Sequence, residues 1–201
     1  MPGLLKPALA PDVTLPETPD DRYHRVVMTL HWLTLVLIAL VYTFIEIKGY
    51  FPKGSETRDL MQHWHEFFGL SVFALVIPRL ALRRLFFNET PRITPEPPHW
   101  QRVMAHTMHG VLYAFLIVMP LLGWLTVSAK GQLDLPLGLH LMPLISPDKP
   151  TAHIIQDIHE TIGNIGLYLI GLHAAAALLH HYWMRDNTLQ RMLPKRWTRK
   201  S

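Results

Sequence analysis

The chain has 201 residues, 49% of them hydrophobic and only 17% charged, with a formal net charge of +4. It contains no cysteine, which excludes disulfide scaffolds, thiolate zinc sites, iron–sulfur clusters and thioether-attached haem. The small, scattered positive charge lacks the basic footprint of a nucleic-acid binder, and thirteen histidines remain as the ligand supply for any metal.

Residues 1–22 carry Pro2, Pro7, Pro11, Pro16 and Pro19 and lack an apolar run long enough for a signal-peptide core. They read as a disordered cytoplasmic leader that stays attached. The first span follows: Val26 to Ile45 is twenty residues without a charge, and about 20 apolar residues cross a bilayer core. The second runs from about His63 to Leu85 and ends among Arg79, Arg83 and Arg84, cations whose long stems can snorkel toward headgroups. Val103 to Ala129, around Pro120, is uncharged for 27 residues and gives the third span; Thr161 to Met184, uncharged for 24, gives the fourth. The connection from Gly131 to Asp157, with Pro136, Pro143, Pro147 and Pro150, reads as turn or loop. The fold class is therefore all-α, an integral membrane four-helix bundle. Residues 23–196 form the membrane domain and 197–201 a basic cytoplasmic tail.

Of the 19 basic residues, 14 fall before the first span, between Arg79 and Arg102, or from Arg185 onward, and five (Lys48, Lys53, Arg58, Lys130, Lys149) in the other two connections. The positive-inside rule then puts both termini in the cytoplasm.

An ionisable residue in a membrane span is costly and points to function. His159 and His173 are 14 residues apart in the fourth span, almost four helical turns, so they share one face about 21 Å apart. The stripe reads His159, Gly163, Gly166, Ile170, His173, Ala177, His180, with small residues leaving room for a flat group against the backbone. In the second span His65, Gly69, Val72, Val76 and Arg79 form a similar stripe. Because alternate helices run antiparallel, His65 and His159 share the outer depth, while His31 of the first span and His173 share the inner half. Two layers with one imidazole from each of two helices suit two six-coordinate haem irons. His106 and His109 of the third span are alternatives to His31. His63 faces away from the His65 stripe, and His24, His99, His140 and His153 read as leader or connection residues. His65-Glu66 and His159-Glu160 lack the second histidine of a zinc-protease helix, and no glycine-rich nucleotide loop is present.

His31-Trp32, Gly49-Tyr50-Phe51-Pro52, His159-Glu160-Thr161, the run from Ile170 to Tyr182, and Asp186-Asn187-Thr188-Leu189 with Arg191-Met192 carry a resemblance. From about Tyr23 to Arg196 the chain resembles the bacterial cytochrome b561 family, most closely its superoxide oxidase type. The resemblance implies a bundle holding two b-type haems, with His31 and His173 on the inner iron, His65 and His159 on the outer iron, and no ligand from the third span. It further implies an oxidoreductase in the bacterial inner membrane that oxidises superoxide to dioxygen at the periplasmic face and passes electrons to ubiquinone near the cytoplasmic face.

Two chemical expectations follow. The outer cations Lys48, Lys53, Arg58, Lys130 and Lys149 could focus an anion toward the outer layer, although Glu46, Glu56 and Asp59 are interleaved with them. Quinone reduction consumes protons, and a histidine is suited to deliver them. His180, seven residues beyond His173 on the same stripe, is the predicted quinone contact and proton donor. Arg79 is predicted to pair with a haem propionate or the quinone headgroup, and His181, Trp183 and Arg102 are further candidates. The competing readings are a quinol-linked cytochrome b561 donating electrons to a periplasmic partner, a histidine-lined metal transporter, and a membrane anchor for a soluble enzyme.

Overall fold

The computed structural model describes residues 21–194; most of the leader (1–22) and all of the tail (197–201) lie outside the described residues. Four long helices, Arg25–Lys48 (α1), Glu56–Leu85 (α2), His99–Lys130 (α3) and Lys149–Tyr182 (α4), make up the fold. Each contains a stretch apolar and long enough to cross a membrane.

The helices outrun the charge-free stretches because local caps, rather than hydropathy, set their ends. Ser55 Oγ accepts from Arg58 N at 3.3 Å, and Glu56 and Asp59 occupy the first turn of α2, where negative charge suits the helix dipole. Gly131, at φ 70°, closes α3 in the left-handed conformation that glycine adopts without penalty. The largest departure from the sequence reading is at α4. Residues 149–157, expected as loop, are helical: Asp148 Oδ2 accepts from Thr151 N at 2.9 Å and Pro150 sits in the first turn, where its missing N–H costs nothing. His153 and His99, expected in connections, accordingly lie in the N-terminal parts of α4 and α3. At 34 residues α4 is about 51 Å long, well beyond a bilayer core of roughly 30 Å.

α1 packs on α2, α2 on α3, and α3 on α4. α1 and α4 close the circle through side chains: Tyr42 Oη donates to Gly163 O at 2.6 Å. Val72 and Val76 of α2 and Leu116 of α3 are buried at mid-height, flanked by Leu37, Ile38 and Val41 of α1. Elsewhere apolar side chains point outward, including Val36, Ile77, Ile165 and Leu172, each more than half exposed. Such a belt is the lipid-facing surface of a membrane bundle. Hydroxyls within the helices bond back to their own turns, Thr34 to Leu30 O at 2.6 Å and Thr126 to Leu122 O at 2.8 Å, which keeps them satisfied without water.

The connection between α3 and α4 folds back on α3, where Trp124 Nε1 donates to Met142 O at 2.9 Å and Leu144 N to Ser128 Oγ at 3.1 Å. At the opposite end the chain leaves α4, turns at Arg185 with φ 56°, and forms a clasp over residues 186–193. Asn187 Nδ2 donates to Arg92 O at 3.1 Å and Asn187 Oδ1 accepts from Thr94 N at 2.9 Å. Arg191 Nη1 donates to Pro91 O at 2.6 Å, Trp32 Nε1 of α1 to Met192 O at 2.7 Å, and Arg22 Nη1 to Leu193 O. The clasp therefore ties both ends of the described chain to the α2–α3 connection.

Candidate functional site

The layer expected at the outer depth brings together His65 of α2 and His159 of α4, with ring centres 6.2 Å apart and planes at 80°, edge to face. His65 Nδ1 lies 3.0 Å from Val41 O. A carbonyl only accepts, so Nδ1 carries the hydrogen and Nε2 keeps its lone pair. His159 Nδ1 is buried. Small residues make room around the pair: nothing lies within 4 Å of where a Gly69 Cβ would be, and one at Gly123 would sit 3.3 Å from His159 Cε1. A cavity of about 490 Å³ opens here between α1, α2, α3 and α4, lined by both histidines, Gly69, Gly123 and Gly163.

The inner layer pairs His31 of α1 with His173 of α4, ring centres 6.4 Å apart and planes at 72°. Arg79 turns into the bundle at this depth: its Nη2 lies 2.7 Å from His31 Nδ1, and its guanidinium, like that of Arg83, is 5.4 Å from the Tyr113 ring centre. His109 of α3 is 5.2 Å from His173, ring centre to ring centre.

A haem iron held between two such rings would require a definite separation. A metal–imidazole bond is about 2.0 Å long, and the ring centre lies roughly 1.1 Å farther out. Two rings on opposite sides of one iron are therefore about 6.2 Å apart. The His65–His159 and His31–His173 separations fit that distance, whereas the His109–His173 separation is too short to hold an iron between them. Among the described residues no group of three or more histidines, aspartates or glutamates converges as a metal site. Facing pairs instead suit a porphyrin, whose macrocycle supplies the other four ligands. One detail is at odds with simple ligation: His31 Nδ1 accepts from Arg79, which puts its hydrogen on Nε2. Seating iron on that nitrogen requires the other tautomer and a displaced Arg79.

At the inner end, His180 Nδ1 lies 2.7 Å from Asp186 Oδ2, and Asp186 Oδ1 accepts from Thr188 N at 2.8 Å. Asp186 is buried and its neighbour His180 partly so. Burial alone would raise the Asp186 carboxyl, but the hydrogen bonds from His180 and Thr188 outweigh it and hold the group below the usual aspartate range. The other inner candidates differ. Trp183 is 84% exposed, Arg102 is paired with Glu96, and His181 Nδ1 is buried without a partner. His106 is hydrogen-bonded to Arg102 O at 2.6 Å, one turn below His109 and on the exposed face of α3.

Around the outer cavity, Lys48, Arg58 and Lys130 line the wall, but Lys53 and Lys149 do not. Glu46, Glu66 and Glu160 line it as well, so formal charges balance there. The His-Glu pair and the glycine four residues after the histidine, read from the sequence on both helices, are joined by a glutamine that reading passed over: Gln62, His65, Glu66, Gly69 on α2 and Gln156, His159, Glu160, Gly163 on α4. In each, the glutamine Nε2 donates to the glutamate Oε1 at 2.7 Å. Tyr113 also escaped the sequence reading, and Asp186 was read there only as part of a motif, without its bond to His180.

A family profile described as prokaryotic cytochrome b561 matches residues 22–195. The chain is 40% identical over 176 residues to cytochrome b561 homolog 1 of Escherichia coli K12, covering 88% of this chain and 99% of that protein. It is 31% identical over 175 residues to probable superoxide oxidase CybB of Yersinia pestis, covering 87% and 97%, and 25% identical to cytochrome b561 homolog 2 of E. coli K12, covering 87% and 93%.

Proposed function

The chain belongs to the prokaryotic cytochrome b561 family of membrane electron-transfer proteins, and from that premise we propose that it is a superoxide:ubiquinone oxidoreductase of the bacterial inner membrane with both termini in the cytoplasm. The observation that carries this reading is the pair of histidine layers at opposite depths, each spaced for one iron. His65 and His159 would hold the outer b-type haem, and His31 and His173 the inner one. When bound, the two haems would supply one-electron couples.

The protein's own groups do the rest. Val41 O holds the hydrogen of His65 on Nδ1, an orientation that fixes a ligating imidazole. Lys48, Arg58 and Lys130 place cations on the wall of the periplasmic cavity, where a small anion can pair with them locally although Glu46, Glu66 and Glu160 balance their charge. The relative named as a probable superoxide oxidase supports superoxide as that anion. Each superoxide gives up one electron and leaves as dioxygen. Two such electrons and two cytoplasmic protons convert one ubiquinone to ubiquinol. His180 contacts the quinone and delivers protons, while Arg79, released from His31, neutralises a haem propionate or the quinone headgroup.

The charge balance of the outer cavity, three cations against Glu46, Glu66 and Glu160, favours a second reading in which a quinol is oxidised and a periplasmic partner accepts the electrons. One experiment separates them. Purified protein is mixed with superoxide in a stopped-flow cell, with superoxide dismutase as control, and the Soret band is followed. Fast, dismutase-sensitive haem reduction, then reoxidation by added ubiquinone, is the expected result. Haem that superoxide leaves oxidised but ubiquinol reduces would establish the second reading instead.

A further inference from the structure

The His180–Asp186 pair arises from backbone geometry that sequence spacing does not show. α4 ends at Tyr182, and the left-handed Arg185 turns the chain so that Asp186 N donates to His180 O at 3.1 Å. The carboxylate is thereby brought back beneath the imidazole one and a half turns earlier. Its two oxygens are used separately, Oδ2 by His180 Nδ1 at 2.7 Å and Oδ1 by Thr188 N at 2.8 Å. The aspartate side chain is 5% exposed, against 23% for the histidine, so the carboxylate sits inside and the ring at the boundary. The following residue, Asn187, is bonded on both sides of its amide to the α2–α3 connection, which keeps the turn from drifting.

A buried carboxylate on one imidazole nitrogen fixes the tautomer, orients the ring and stabilises its cation. We propose that Asp186 is the positioning residue of the proton-delivery step: it holds the hydrogen of His180 on Nδ1 and leaves Nε2 to serve the quinone. This rests on the assignment of His180 to quinone made above. In the step, the His180 cation gives its Nε2 proton to a quinone oxygen and becomes neutral with hydrogen retained on Nδ1. Water on the cytoplasmic side then returns a proton to Nε2. Two such transfers accompany the two electrons that two superoxide anions supply as they leave as dioxygen, giving quinol.

The test uses the full-length haem-loaded protein and three variants, Asp186→Asn, Asp186→Glu and His180→Gln, with ubiquinone-1 as acceptor. Superoxide-driven haem reduction is expected to be unchanged in Asp186→Asn, since the outer face is remote. Reoxidation by ubiquinone-1 should fall roughly 10- to 100-fold in kcat with KM within about twofold, because the amide can present its N–H to Nδ1 and reverse the tautomer. Asp186→Glu should recover part of the rate. Nitrogen-15 NMR of the unsubstituted protein supplies a measurement independent of any variant: neutral His180 should carry its hydrogen on Nδ1. A hydrogen found on Nε2 overturns the proposal, as does an Asp186→Asn protein that reoxidises at the parent rate while His180→Gln is slow. If His180→Gln is also as fast as the parent, it is the quinone assignment of His180 that fails.

Discussion

At Gly166, seven residues from both His159 and His173, a Cβ would lie 2.0 Å from Phe115 Cε2. The Phe115 ring fills that notch midway between the two histidine layers. Gly166→Ala is therefore expected to cost about 1–3 kcal/mol through overpacking, read as a fall of several degrees in the melting temperature of the detergent-solubilised protein. Phe115→Leu in the same chain should restore most of it. The paired histidines predict stoichiometry: His65→Ala and His173→Ala should each bring a pyridine haemochrome count from two haems per chain to about one. His109→Ala should keep both, because its ring stands too close to His173 to share an iron. These pairs were legible in the sequence because a spacing of 14 residues returns to one helix face, and because antiparallel order equates depths. Arg79 was legible only in part. Its depth follows from the stripe, but its contact with His31 depends on how α1 and α2 are rotated against each other.

Among the elements, α4 and the clasp show where local chemistry outweighed composition. Pro150 in a proline-rich stretch suggested loop, yet the Asp148 cap makes the same proline a helix start. The clasp residues Asp186 to Met192 were recognisable as a motif, but their role depends on a positive φ at Arg185, which an arginine does not advertise. The acid behaviour of this element follows from Asp186. Its carboxyl is held below the usual range in the folded chain, so its stabilisation is complete above the unfolded aspartate value of about 3.9. It is lost as pH falls through the lower folded value. Hydrogen-exchange protection of the Thr188 amide should accordingly stay level from neutral pH down to about 4 and collapse only below that. Protection lost already near pH 6 would assign the clasp's acid sensitivity to histidine protonation instead.

For the whole molecule, the absence of cysteine makes orientation directly measurable. Single cysteines placed at Lys53 and at His140 should react with a membrane-impermeant maleimide added to intact spheroplasts, and one at Glu89 should react only after lysis. The inverse pattern would reverse the assignment of faces. The four-span architecture was plain from uncharged stretches of membrane length, whereas the arrangement of neighbours around the bundle was not, since lipid-facing and helix-facing apolar residues look alike in composition.

That arrangement bears on biogenesis. Successive helices adhere to one another, but the first and last are joined mainly by Tyr42 reaching the Gly163 carbonyl and by the rings of His31 and His173. The newly inserted polypeptide is thus a ring with a seam. Porphyrin seated between the histidine partners would bridge that seam from within and add its binding free energy to closure. Pigment supply would then govern how much of the protein survives membrane quality control, as well as how much is active.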